Sequence, residues 1–113
     1  MNAKSTAPSD IATLINVLTV EPENQTKLLA SLRENCDTVI CHLSGWISTS
    51  FIASHDKRHV VIHSQWRDLD AVQAMQADPK MRAYFPHVAA LASFDSITGA
   101  VAYSHHAETE TSR

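Results

Sequence analysis

Ile11-Ala12-Thr13-Leu14-Ile15-Asn16-Val17-Leu18-Thr19-Val20 reads as a β-strand whose two alternating rows are both largely apolar. The odd row is Ile11, Thr13, Ile15, Val17 and Thr19, and the even row is Ala12, Leu14, Asn16, Leu18 and Val20. Successive side chains of a strand point to opposite faces, so a strand apolar on both rows is covered on both sides. In a domain of one sheet, the chain's own helices cover one face. The second apolar row therefore implies a partner sheet from another chain.

After this strand, Pro22 suits the first turn of a helix, where its missing donor costs nothing. Leu28, Leu29, Leu32, Cys36, Val39, Ile40 and Leu43 follow in steps of one, three and four and trace a single stripe. Lys27, Arg33, Glu34 and Asp37 fall off it. Gly45 is placed to stop this helix in a left-handed conformation. Trp46–Ser54 and His59–Trp66 are two β-rich runs joined by a polar turn at 54–58, a hairpin by length and polarity. Asp68 is a helix cap ahead of Leu69, Val72 and Met75, with Asp70 favouring the dipole. Asp78-Pro79 opens a second helix with Met81, Tyr84, Phe85, Val88 and Leu91 inward, which Pro86 is expected to kink or break near Tyr84. Phe94–Tyr103 reads as a last strand, broken at Gly99. The order β-α-β-β-α-(α)-β is a ferredoxin-like α+β arrangement, an antiparallel sheet with helices on one face.

Composition narrows the function. The 113 residues are 44% hydrophobic and 19% charged, which describes one domain. The organisation predicted is a domain at 11–103 between flexible segments at 1–10 and 104–113. No apolar run approaches a membrane span, and the N-terminus lacks the pattern of a secretory signal, so a cytoplasmic protein away from membranes is expected. Nine basic residues against twelve acidic ones form no basic stripe, which argues against nucleic acid as a partner. Cys36 and Cys41 fall on different helix faces, which favours two buried thiols over a disulfide. His55, His59 and His63 recur every fourth residue, but along a strand that step spans about 13 Å, too far for one ion, so no metal is expected. His63 is expected to face the partner sheet. With only Gly45 and Gly99 in the chain, glycine-rich phosphate loops are excluded.

Several of these features coincide. They are the apolar first strand, a helix ending in Leu43-Ser44-Gly45-Trp46, a hairpin leading to Gln65-Trp66-Arg67-Asp68, and an Ala-containing helix followed by Asp78-Pro79. Together they resemble the antibiotic biosynthesis monooxygenase family, and its small anthrone and quinol oxygenases most of all, over about residues 11–103. The resemblance implies a homodimeric α+β barrel, two chains pairing sheet to sheet, with a pocket in each chain between sheet and helices. It also implies a small aromatic substrate, O₂ and no cofactor. Members include anthrone and quinol oxygenases, haem-degrading enzymes and proteins with no known reaction, so the fold does not settle the activity.

The family's pocket tryptophan matches Trp66. An asparagine that one anthrone oxygenase carries on the same strand falls on Ile62, its helical tyrosine on Val72 and its arginine near Phe85, so those contacts are apolar here. Haem-degrading members carry an asparagine matching Asn16, but their haem-ligating histidine would fall near Met75 or Gln76, which disfavours haem breakdown. A deprotonated anthrone or hydroquinone reduces O₂ directly if the protein supplies a dry pocket and hydrogen bonds to the developing oxyanion. On that reading Trp66 and Asn16 are the candidate catalytic residues, while Ile62, Val72, Tyr84, Phe85 and His87 line the substrate. Each also has a plain structural reading: Trp66 closing a strand–helix corner, Asn16 a satisfied buried amide, Tyr84 a core residue, and His87 a surface histidine. The rival to an oxygenase is a binding or stress-related barrel without turnover.

Overall fold

The computed structural model describes residues 10–107. Ala12–Val20 forms β1, and a 3₁₀ turn at Pro22–Asn24 leads into α1, Gln25–Thr38. A second 3₁₀ turn at Ile40–His42 precedes the hairpin of β2, Trp46–Ala53, and β3, His59–Trp66. Two helices follow, α2 at Leu69–Ala77 and α3 at Pro79–Leu91, before the edge strand β4 at Ala92–Gly99. The four strands form one antiparallel sheet in the order β2-β3-β1-β4, the ferredoxin-like order expected.

Register explains the layering. Leu14 faces Ser64, Asn16 faces Ile62 and Leu18 faces Val60 across β1 and β3, so the even row of β1 shares a face with Ser64, Trp66 and Val60. All three helices pack on that face. Ala12, Leu14 and Trp66 meet Ala71, Val72, Met75 and Met81 in one buried cluster. Leu18, Val20 and Val60 meet Leu28, Leu32, Val88 and Ala92 in a second. The odd row, Thr13, Ile15, Val17 and Thr19, shares the opposite face with Val61, His63 and Gln65, and none of the helices crosses it.

The predicted caps form. The Asp68 carboxylate accepts from the Ala71 amide at 2.9 Å, and that of Asp78 accepts from the Lys80 and Met81 amides at 2.9 and 3.3 Å. Gln25, buried in the first turn of α1, donates to the carbonyls of His59 and Ser54 at 2.9 and 3.3 Å and ties the helix to the hairpin.

Several local expectations need correction. The first helix ends at Thr38, so Gly45 is not its cap. Gly45 has φ +85° in the turn entering β2, where a Cβ would lie 2.5 Å from that of Ala71. Glycine is required there by backbone conformation and by the close approach of α2. Cys36 and Cys41 are free and half-buried rather than buried: the inner face of α1 runs through Gln25, Leu28, Leu32 and Asn35 and leaves Cys36 at its edge, while Cys41 lies beyond the helix in the 3₁₀ turn Ile40–His42. Pro86 lies inside α3 without ending it. It is on the exposed side, where the Arg82 carbonyl it leaves unbonded meets water. The last strand stops at Gly99, and residues 100–107 have no regular structure. The terminal segments at 1–9 and 108–113 lie outside the described residues.

Candidate functional site

The two apolar clusters do not merge. On β1 the side chains facing the helices read Leu14, Asn16, Leu18: the first belongs to one cluster, the third to the other, and Asn16 falls between them. A cavity of about 340 Å³ opens at this seam. That volume lies at the lower end of the range for small-molecule pockets, room for a fused-ring aromatic. Its walls come from both clusters, with Leu14, Trp66, Met75, Met81 and Phe85 on one side and Leu18, Leu32, Phe51, Ile62 and Val88 on the other.

The cavity has a closed end and an open one. Ser64, Trp66, Met75 and Met81 at the closed end are buried. Phe94, 47% exposed, and Ser96 stand on the edge strand, whose side chains beyond Ala92 are all exposed. Asn16 is half-buried on the neighbouring strand, and the Ser96 hydroxyl donates to its side-chain oxygen across the β1–β4 pairing. The mouth therefore carries a polar pair.

Trp66 is 1% exposed, and its indole N–H donates to the Ser64 hydroxyl at 3.1 Å. Both residues lie on the helix-facing side of β3, two positions apart. With its single donor already engaged, Trp66 offers a bound molecule an aromatic wall. Tyr84, from α3, bonds hydroxyl to hydroxyl with Ser31 of α1 at 2.9 Å. Burial pushes its phenol above the ordinary value of 10.0, only partly offset by Ser31, and Glu34 adds to the rise. It is thus neutral near pH 7 and acts as a hydrogen-bonding group. Among the described lining residues Tyr84 holds the only ionisable side chain.

Of the residues singled out from sequence, Trp66, Asn16, Ile62, Tyr84 and Phe85 line this one cavity. Val72, 1% exposed, packs in the cluster behind Trp66 and is not part of the wall. His87 is exposed on α3, its ring 6.3 Å from that of Tyr84, and stays outside the cavity. Sequence reasoning missed Asn35, which is 8% exposed and lines the cavity from α1. The signal was available, since positions 28, 32 and 35 are a helical i, i+4, i+7 series, but a search for apolar stripes passes over a polar member. Among the described residues no group of three His, Cys, Asp or Glu is placed to hold a metal ion.

The sequence profile of the antibiotic biosynthesis monooxygenase family matches residues 11–86. Over 78 residues the chain is 37% identical to tetracenomycin-F1 monooxygenase of Streptomyces glaucescens, a match covering 69% of this chain and 70% of that one. A crystal structure of the ActVA-Orf6 monooxygenase of Streptomyces coelicolor, in complex with nanaomycin D, superposes with a TM-score of 0.81 at 20% identity, covering 94% of this chain and 100% of that one. SnoaB, a cofactor-independent oxygenase from Streptomyces nogalater, superposes with a TM-score of 0.71 at 18% identity, covering 84% and 96% of the two chains.

Proposed function

The chain belongs to the antibiotic biosynthesis monooxygenase family, and from that membership we propose that it is a cofactor-independent monooxygenase of an electron-rich aromatic compound such as an anthrone or a quinol. The observation that carries this reading is the cavity itself, with its Trp66 wall, its polar groups and no ionisable side chain but a neutral Tyr84 among the described lining residues. The relative from Streptomyces glaucescens is named a tetracenomycin-F1 monooxygenase, which supports the monooxygenase part of this reading.

The lining sets the chemistry required of the substrate. With no general base in the wall, the substrate must be acidic enough to enter as its anion or to lose its proton to water at the mouth. Its carbanion passes one electron to O₂, and the radical pair combines to form the C–O bond of a hydroperoxide. Loss of water from that hydroperoxide leaves a carbonyl, so each CH₂ oxidised consumes one O₂ and releases one H₂O. The enclosing walls of Leu14, Leu18, Ile62 and Phe85 exclude water from the pair. Asn16 and Tyr84 supply hydrogen bonds to developing charge on oxygen.

A second reading, binding without turnover, is favoured by one observation. Ile62 and Phe85 are apolar and line the cavity where the family resemblance implies polar contacts. Haem degradation is disfavoured, since Met75 and Gln76 line the wall where a ligating histidine would be needed. Oxygen uptake with a panel of anthrones and hydroquinones under chelation, corrected for autoxidation, separates the first two. Uptake that falls in Trp66→Phe and Asn16→Ala establishes the oxygenase. Saturable binding with no uptake establishes the binding protein.

The same proposal includes a homodimer. The helix-free sheet face exposes an apolar band of Ile15, Val17, Val61, Ile52 and Ile97, with Ile52 55% and Ile97 65% exposed. A second copy meeting this band removes it from water, and His63, beside Ile15 on that face, joins the interface. No helix among the described residues is long and apolar enough to cross a membrane.

A further inference from the structure

Deep in the cavity one polar side chain is left incompletely bonded. Asn35 is 8% exposed, and its amide nitrogen donates to the thioether sulfur of Met81 at 3.4 Å. Sulfur is a weak acceptor, so this contact orients the amide more than it satisfies it. The amide oxygen has no hydrogen-bond partner among the described residues. A buried acceptor without a donor costs free energy, and a leucine at this position of α1 would remove that cost. Its neighbours on the inner face, Leu28 and Leu32, are apolar.

We infer that Asn35 is a specificity-determining residue that accepts a hydrogen bond from a hydroxyl of the bound aromatic, an inference that rests on the aromatic-pocket reading above. Away from the mouth the other polar side chains of the lining, besides the Ser31-bonded Tyr84, are Ser64, whose hydroxyl is held by the Trp66 indole and lies 3.5 Å from the Leu14 carbonyl, Thr49, whose hydroxyl accepts from the Trp46 indole at 2.8 Å, and Gln76, which is exposed. Asn35 is therefore the buried acceptor in this wall that lacks a donor among the described residues. A ring inserted past Asn16 and Ser96 at the mouth meets it hydroxyl first. An acceptor in a dry wall also discriminates sharply, because a ligand without the hydroxyl leaves it unpaired. The pocket thus selects phenols over unsubstituted ring systems.

The test is a matched pair of probes, β-naphthol and naphthalene, titrated calorimetrically into the full-length protein, into Asn35→Leu and into Asn35→Ala. The expected result is that the wild type prefers β-naphthol and that Asn35→Leu weakens it by about tenfold, the factor one ordinary hydrogen bond supplies. Naphthalene should bind Asn35→Leu as tightly as the wild type or more so. Asn35→Ala, which adds no bulk, reads the same loss of preference should the leucine variant fail to fold. Equal weakening of both probes in the variants overturns the role of Asn35 and leaves the aromatic pocket standing. Failure of the wild type to bind either probe overturns the aromatic pocket, and the role of Asn35 with it.

Discussion

The two faces of β1 carry nearly the same kind of residue and serve different ends. Toward the helices, Leu14 and Leu18 are 3% and 1% exposed, and the polar residue between them opens onto the cavity. Away from the helices, Ile15 and Val17 are only half-buried, in a band with Val61, Ile52 and Ile97 that nothing in the single chain covers. Apolar character alone does not distinguish a core row from an interface row; what packs against the row does. On the covered face the informative residue is the polar exception, Asn16, which Asn35 of α1 joins in lining the cavity. On the bare face they are the apolar ones.

Substitutions on the two faces should separate stability from assembly. The largest loss of stability is expected for Trp66→Ala, which empties the centre of the first cluster and should cost about 4 kcal/mol in chemical denaturation, while Trp66→Phe keeps an aromatic wall and costs much less. Gly45→Ala comes next, at about 2–3 kcal/mol, from a strained positive φ and a methyl driven against Ala71. On the bare face, Val61→Glu should leave the monomer folded but halve the mass seen by sedimentation, since a carboxylate placed in the proposed two-fold interface opposes its own copy. Loss of folding comparable to that of Trp66→Ala would show that the bare face is needed for the single chain and would break the comparison.

Smaller effects test the wall. Tyr84→Phe should remove about 1 kcal/mol with the Ser31 bond. It should also change the alkaline limb of stability. Folding raises the Tyr84 pKa, so the native state keeps its proton where the unfolded chain has lost it, and the stability present below about pH 10 declines as pH rises further. In Tyr84→Phe that decline in denaturation midpoint should be shallower; an unchanged slope would place the tyrosine in water. Smallest of all is His59→Ala. His59 is on the bare face, 3.8 Å from Asp56 in an exposed pair, and its loss should shift stability by under about 0.5 kcal/mol and leave ligand binding unaltered.

Much of this fold was legible before any coordinates, because period, capping residues and turn polarity are local. The strand at 11–20, the hairpin about 54–58 and the caps Asp68 and Asp78 all follow from neighbouring residues. Elements that depended on distant contacts were misread. Gly45 looked like a helix cap, and only the approach of Ala71 shows why it must be glycine. Pro86 reads as a kink or a break; the helix is not broken, and the place of Pro86 on the exposed side of α3 shows why it runs through.

The site divides in the same way. Trp66 and Asn16 were legible, one through a family resemblance and the other as a polar residue in an apolar row. Asn35 was not, since a hydrophobic stripe is found by its apolar members and its meaning depends on Met81 and the cavity beyond. By itself the sequence determined which elements form, because helix and strand periodicities are written in consecutive residues. Only the tertiary structure decided that two apolar clusters leave a gap, and that Asn16, Asn35 and Tyr84, from three different elements, converge on it. A cavity is packing that fails to close, and packing is a property of the folded chain.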